Sequence, residues 1–305
     1  MIDFINYYYN LYPLNINKSD TNYMFYIDNI KYYFMPYDRE LNELDYIVKL
    51  NIEMVNNGSL VHEIIRNKLN KVLTIYENNN YILLRCNINC DKVVSIEDII
   101  YMLNESKISY DKNNILNRMN WSKLWELKID YFEYQMTHII KKYPILYSII
   151  DYYIGLGENA IQYFNTVVLN NRGNIEISIC HKRINSNSTL FDLYNPLNLI
   201  IDYKVRDISE YIKSSFFNNN NNINNTMDKI FSRYYFDKLN LSIMISRLLF
   251  PSYFFDMFED IVYNNANENS IDFITKKSSL YEDFINNLIK QFNLQSIRWL
   301  GFKQH

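Results

Sequence analysis

Between His181 and Lys213 the chain reads HKRINSNSTLFDLYNPLNLIIDYKVRDISEYIK, a stretch dense in side chains that could do chemistry. An imidazole such as His181 takes or gives a proton near neutral pH. Carboxylates such as Asp192 and Asp202 accept protons or bind cations, whereas Lys182 and Arg183 only donate and would suit an anion-binding cleft. The ordinary expectation for charged loop residues is simple solvation, and it is the default for Lys182 and Arg183. Asp207 followed three residues later by Glu210 has the spacing of a capping box, so both are assigned a structural role at a helix start.

The rest of the chain offers less. His62 falls in an expected strand, His138 in a helix, and His305 is the last residue, so no pair of histidines has ligand spacing. Cys86 and Cys90 have no histidine or cysteine pair nearby in sequence to finish a zinc site. With Cys180 they read as small apolar filler in a reducing compartment. A Gly-x-Ser-x-Gly elbow is absent, and so is a glycine loop that could cradle phosphates. Gly155-Leu156-Gly157 reads as a helix C-cap and turn, with Glu158 opening the next helix.

The elements that must position these residues divide by character near residue 90. Residues 22–35 read as two strands around an Asp28-Asn29 turn, ended by Pro36. A helix follows, with Asp38 as its N-cap and Gly58 just past its end. Strands are expected over 60–65, 71–76 and 81–86, the last two joined by a polar turn. Beyond that, Ser95 caps a helix through Ser-x-x-Asp. A long amphipathic helix covers 120–143 and is closed by Pro144. Strands over 174–179 and 197–201 flank the polar loop, a tract of asparagines at 218–225 reads as a surface loop, and the remainder is helical. The predicted organisation is a small α/β lobe over 1–90 and a larger, mainly helical lobe over 91–305, with an embedded strand–loop–strand at 174–202.

At 305 residues and 37.0 kDa the chain suffices for such a pair of lobes. Its 29 tyrosines against 5 glycines and 5 prolines are what AT-rich codons would produce, and carry no functional signal. A net charge of -3, with a pI near 5.9 and no basic stripe, argues against nucleic acid as the main partner. The N-terminal residues carry no basic region of a secretory signal, and charges or asparagines interrupt every apolar run. A cytoplasmic protein without a transmembrane segment is expected.

Four stretches, NWSKLWELKIDYFEYQ, YIGLGENAIQYFN, FDLYNPLNLIIDYKVRDISEYIK and RLLFPSYFFDMFEDI, together resemble the spore coat kinase-like family of Firmicutes, the CotS and YutH type, over residues 20–300. The resemblance implies an α+β, protein-kinase-like fold of the aminoglycoside phosphotransferase kind, with a small N-lobe and a larger helical C-lobe. In active members of that fold a His-x-Asp loop supplies the base, and an Asn a few residues on and a later Asp hold magnesium. Carried over, His181 takes the His position, Arg183 stands where the base is expected, Asn187 is a loose match to the Asn, and Asp202 takes the metal-binding position. Asp207 resembles the helix-start Asp that braces the loop. The lysine of the third strand is matched by Met35, Lys31 coming too early, and the Asp28-Asn29 turn has no glycine.

A guanidinium stays protonated and has no acceptor, so Arg183 cannot replace the Asp. The expectation is therefore a catalytically inactive kinase-like protein, with no catalytic residue in its degenerate loop (His181, Arg183, Asn187) and no cofactor. It would act by binding an unidentified protein partner, with spore association implied by the resemblance. The alternative is a divergent phosphotransferase using ATP and magnesium on a small molecule or protein, with Asp202 on the metal and Asp192 or His181 as base. A third option is a sensor that binds nucleotide without turnover.

Overall fold

The computed structural model describes residues 1–88, 90–105, 114–138, 142–170, 173, 175–218 and 223–301. The chain forms two compact units, Met1–Asn117 with Ile179–Ile201, and Arg118–Ser178 with Asp202–His305. His305, Ile139, Ile140 and residues 219–222 of the asparagine tract lie outside the described residues.

The first unit opens with helix α1 (Ile2–Tyr9), then strands β1 (Ile16–Ser19), β2 (Asn22–Ile27) and β3 (Ile30–Pro36). Helix α2 (Leu44–Asn56), strands β4 (Glu63–Ile65), β5 (Thr74–Tyr76) and β6 (Asn79–Arg85), and helix α3 (Ile96–Glu105) follow. All pairings in the sheet are antiparallel, in the order β1-β2-β3-β6-β4, with β5 also on β6. Asp28 and Asn29 have φ of 49° and 64°, the left-handed pair that a two-residue hairpin needs, and Glu77 and Asn78 repeat it at 48° and 63°. One face of the sheet carries an apolar core of Tyr23, Phe25, Tyr32, Phe34, Tyr81 and Leu83. Helix α1, which the sequence reading does not anticipate, closes that core with Ile5 and Tyr9.

One local expectation changes here. Asp38 does not cap α2, because a 3-10 turn over Leu41–Glu43 precedes the helix. Gly58 does lie just past its end, at φ 80°. The box at Ser95 forms as expected: Asp98 Oδ2 accepts from the Ser95 amide at 2.9 Å, and Ser95 Oγ accepts from the Asp98 amide at 3.2 Å.

The chain continues through α4 (Trp121–His138), α5 (Pro144–Asn170), β7 (Ile177–His181), a short α6 (Leu190–Tyr194), β8 (Leu199–Tyr203) and α7 (Val205–Phe217). It ends with α8 (Ile223–Arg233), α9 (Lys238–Leu249), α10 (Ser252–Tyr263) and α11 (Asp272–Gln291). Strands β7 and β8 pair with each other. In the second unit, Trp125 stacks on Phe250 with centroids 4.6 Å apart, and Phe132 stacks on Phe255 at 4.2 Å.

Pro144 begins α5 instead of closing the helix before it; its missing N–H costs nothing at a first helical position. Gly155 and Gly157 are not a C-cap, since α5 runs straight through both. A Cβ on Gly157 would stand 2.6 Å from Ile129 Cδ1, so the bare backbone is what lets α4 and α5 approach. Among the described residues one stretch, Lys238–Tyr263, is long and apolar enough to cross a membrane, and 67% of its most apolar window is buried.

Candidate functional site

The loop between β7 and β8 is shaped by bonds from side chains to backbone. Asn198 Nδ2 donates to the Arg183 carbonyl at 2.7 Å and its Oδ1 accepts from the Arg183 amide at 3.1 Å. The Lys182 amide donates to the Asn198 carbonyl at 2.7 Å. Asn185 Oδ1 accepts from the Asn187 amide, and Ser188 Oγ accepts from the Asn185 amide, folding the tip into a compact turn. A capping box forms after it, where Asp192 Oδ2 accepts from the Thr189 amide at 2.7 Å and from its hydroxyl at 3.0 Å.

His181 sits at the root of this loop and is buried. Its Nε2 lies 2.7 Å from the Leu193 carbonyl, which only accepts, so Nε2 serves there as a donor. Behind the loop, Arg39 Nη1 donates to the carbonyls of Leu197 at 3.0 Å and Leu199 at 2.7 Å, while Nε pairs with Glu43 at 2.7 Å. Sequence reading missed Arg39 and Asn198; the i,i+4 spacing of Arg39 and Glu43 was the available signal.

A cavity of about 670 Å³ opens over the loop, lined by Lys182, Arg183, Asn187 and Asp192 together with Met35 and Asp38. Met35 reaches it because Lys31, Tyr33 and Met35 share the face of β3 opposite the aromatic core. Along that face the Tyr33 ring lies 4.2 Å from Phe191, and Lys31 Nζ pairs with Asp91 at 2.6 Å. Lys31 is thus engaged away from the cavity-lining set. Counting His-x-Asp-x-x-x-x-Asn from His181 reaches Ser188 in place of Asn187.

Asp202, Asp207 and Glu210 belong to the second unit. Asp202 is fully buried. Its Oδ2 accepts from Arg206 Nη1 at 2.6 Å and from Trp121 Nε1 at 3.1 Å, and Oδ1 accepts from the Tyr203 amide at 2.7 Å. Burial pushes its carboxyl above the ordinary value, against the pull of Arg206 and Arg247. Both oxygens of this carboxylate thus accept hydrogen bonds from within the unit.

The box expected at Asp207 and Glu210 is not formed: α7 starts at Val205 and has no side-chain cap. Asp207 is fully buried. Glu210 instead pairs with Arg247 at 2.6 Å and Lys213 at 3.1 Å. Burial would raise Glu210, but Lys213, Arg247 and Arg206 hold it down at about 2.

His62 also departs from expectation. The fold sets it beside Cys86 and Cys90, with potential ligand atoms all within 4.8 Å, supplying the histidine that the sequence neighbourhood of the cysteines lacks.

The family described as "Spore coat putative kinase YutH" matches residues 2–288. The endospore coat-associated protein YutH of Bacillus subtilis (strain 168) is 27% identical over 210 residues, 59% of this chain and 61% of that protein. The chain thus spans about three-fifths of the length of that curated relative. An aminoglycoside phosphotransferase from Alicyclobacillus acidocaldarius superposes with a TM-score of 0.65 at 11% identity, covering 93% of this chain and 94% of that one. A spectinomycin phosphotransferase in complex with ADP and spectinomycin gives 0.58 at 12% identity, covering 88% and 89%. The fold is therefore aminoglycoside phosphotransferase-like, with an antiparallel-sheet N-lobe and a mostly helical C-lobe, as the sequence resemblance implies.

Proposed function

This chain belongs to the YutH family of spore-coat kinase-like proteins, and we propose that it acts there by binding, without phosphoryl transfer. The observation that carries this reading is the Asp202 carboxylate, whose Oδ2 is taken by Arg206 and Trp121. Magnesium would have to displace a guanidinium and an indole N–H from one buried oxygen. Three substitutions agree with it. Arg183 stands at the base position, Met35 lines the cavity where a lysine is expected, and the Asp28-Asn29 turn has no glycine. Phosphoryl transfer rests on positioning and charge stabilisation, and these changes remove resources for both.

The partner in this reading is a protein of the spore envelope, supported by the coat association of the B. subtilis relative. The protein is made in the cytoplasm and becomes spore-associated. Thermal unfolding with and without ATP and magnesium tests the nucleotide side. A ligand at ~100 times its dissociation constant adds about 2.7 kcal/mol, a shift of several degrees. No shift at millimolar ATP is expected; a magnesium-dependent shift that disappears in Asp202→Asn overturns the reading.

The second reading, a divergent phosphotransferase using ATP and magnesium, draws on Asp38 and Asp192, which bring carboxylates to the cavity that Arg183 lines. Slow ATP turnover abolished by Asp192→Asn would establish it. A nucleotide-induced shift without turnover would mark a sensor.

A further inference from the structure

His62, Cys86 and Cys90 meet because of sheet register. β4 runs antiparallel to β6 with Glu63 opposite Arg85, so the next residues outward, His62 and Cys86, face one another past the end of the ladder. The chain turns directly after Cys86 and returns Cys90 to the same spot. All three are buried, at 0%, 6% and 1% exposure. Their potential ligand atoms lie within 4.8 Å of one another, and His62 Nε2 stands 3.8 Å from Cys90 Sγ. With metal–nitrogen and metal–sulfur bonds of about 2.0 and 2.3 Å, the N···S edge of a coordination polyhedron is about 3.5 Å in tetrahedral geometry and about 3.7 Å in trigonal geometry. The observed separation is near that edge, so small movements would close the site.

The donor set also selects the ion. Two thiols and an imidazole with no carboxylate among them form a soft site, suited to zinc or copper(I) and unsuited to magnesium or calcium. His62 Nδ1 is buried with no hydrogen-bond partner among the described residues, and Nε2 meets the Cys90 thiol, a weak hydrogen-bonding group, at 3.8 Å. A cation bound at Nε2 would give the buried ring a stronger partner than a thiol.

We propose that His62, Cys86 and Cys90 form a structural binding site for a single thiolate-preferring d10 cation, zinc or copper(I). Zinc would complete four-coordination with a water, whereas copper(I) is satisfied by three ligands. The site would staple the ends of β4 and β6 to the segment that carries the loop. The His62 ring stacks on Phe191 with centroids 5.3 Å apart, the His62 amide donates to the Tyr194 carbonyl at 2.8 Å, and the Phe191 amide donates to the Cys90 carbonyl at 3.1 Å. This proposal is independent of whether the protein transfers phosphate.

Cobalt(II) titration of the reduced, tag-free full chain tests it, alongside metal analysis after equilibration with zinc and, separately, with copper(I) under a chelator. About one equivalent per chain is expected, with a thiolate-to-cobalt charge-transfer band and a raised unfolding midpoint. Cys86→Ser and Cys90→Ser should lose the band, while Cys180→Ser should keep it. Zinc or copper(I) retained against the chelator says which ion the site holds. The wild-type titration is decisive even if a variant fails to fold. The proposal is overturned if wild type shows no band and alkylates at all three cysteines equally with and without metal. It is equally overturned if binding survives in both serine variants, or if Cys86 and Cys90 form a disulfide in protein purified without reductant.

Discussion

The loop at 182–198 and the charged centre around Asp202 and Glu210 start from similar material, polar and ionisable side chains in one continuous stretch, and end in opposite physical states. In the loop, Lys182 and Arg183 face solvent, and the polar bonds that define the shape come from Asn198, Asn185 and Ser188 to the backbone. In the charged centre Asp202 is buried and Glu210 half-buried, and both are matched to guanidinium and ammonium groups. A residue's charge therefore says little about its weight in the molecule. Exposed charges are solvated and worth little, whereas a buried partner left alone is expensive.

The sharpest break of this comparison is Asp202→Ala. It removes the buried acceptor that the Arg206 guanidinium and the Trp121 indole N–H share, and should cost about 3–5 kcal/mol in denaturant unfolding. A loss below about 1 kcal/mol would mean the centre relaxes or admits water.

Next in size is the pH dependence of the same centre. Glu210 is held at about 2 against an ordinary 4.5. A depressed acid contributes stability that is present above the unfolded value and lost as pH falls from 4.5 towards 2, here about 3 kcal/mol. Lys213 is pushed down to about 8 from 10.5, burial outweighing the pull of Glu210. The unfolded chain then binds the extra proton between those values, so stability rises with pH through that window. Tyr9, Tyr153 and Tyr203, raised to about 12 chiefly by burial, act in the other direction once pH passes 10. Urea titrations across pH should therefore show an acid loss that Glu210→Gln removes and a rise over pH 8–10 that Lys213→Met removes.

The smallest effects belong to the loop. Asn198→Ala removes the clamp on both the Arg183 amide and carbonyl and should cost about 1 kcal/mol, with faster hydrogen exchange at Arg183. Arg183→Ala should stay within about 0.5 kcal/mol of wild type. A larger loss there would place its side chain in the fold's support and weaken the contrast between the two regions.

Reading the chain alone succeeded where a few neighbouring residues decide the outcome. The Asp28-Asn29 hairpin and the Ser95–Asp98 box follow from local backbone chemistry, and Gly58 marks a helix end for the same reason. It failed where a distant partner reverses a local rule. Gly155 and Gly157 look like a helix end but serve close helix packing. Asp207 and Glu210 have box spacing, but α7 begins at Val205, two residues before Asp207, and Glu210 faces Arg247, 37 positions away. Helix α1 was invisible because its amphipathic signal lies in a run of tyrosines that also suits a strand.

What the sequence by itself determined is the identity of the chemistry on offer: a guanidinium at position 183, a methionine at 35, and a carboxylate at 202. Side-chain type sets which groups can accept a proton, and no fold makes arginine a base. What only the tertiary structure decided is availability. Packing set Trp121 and Arg206 on the Asp202 carboxylate and aimed His181 Nε2 at a carbonyl. Strand register brought His62 to two cysteines more than twenty residues away. These outcomes depend on contacts between residues far apart in the chain, and spacing along the chain does not encode them.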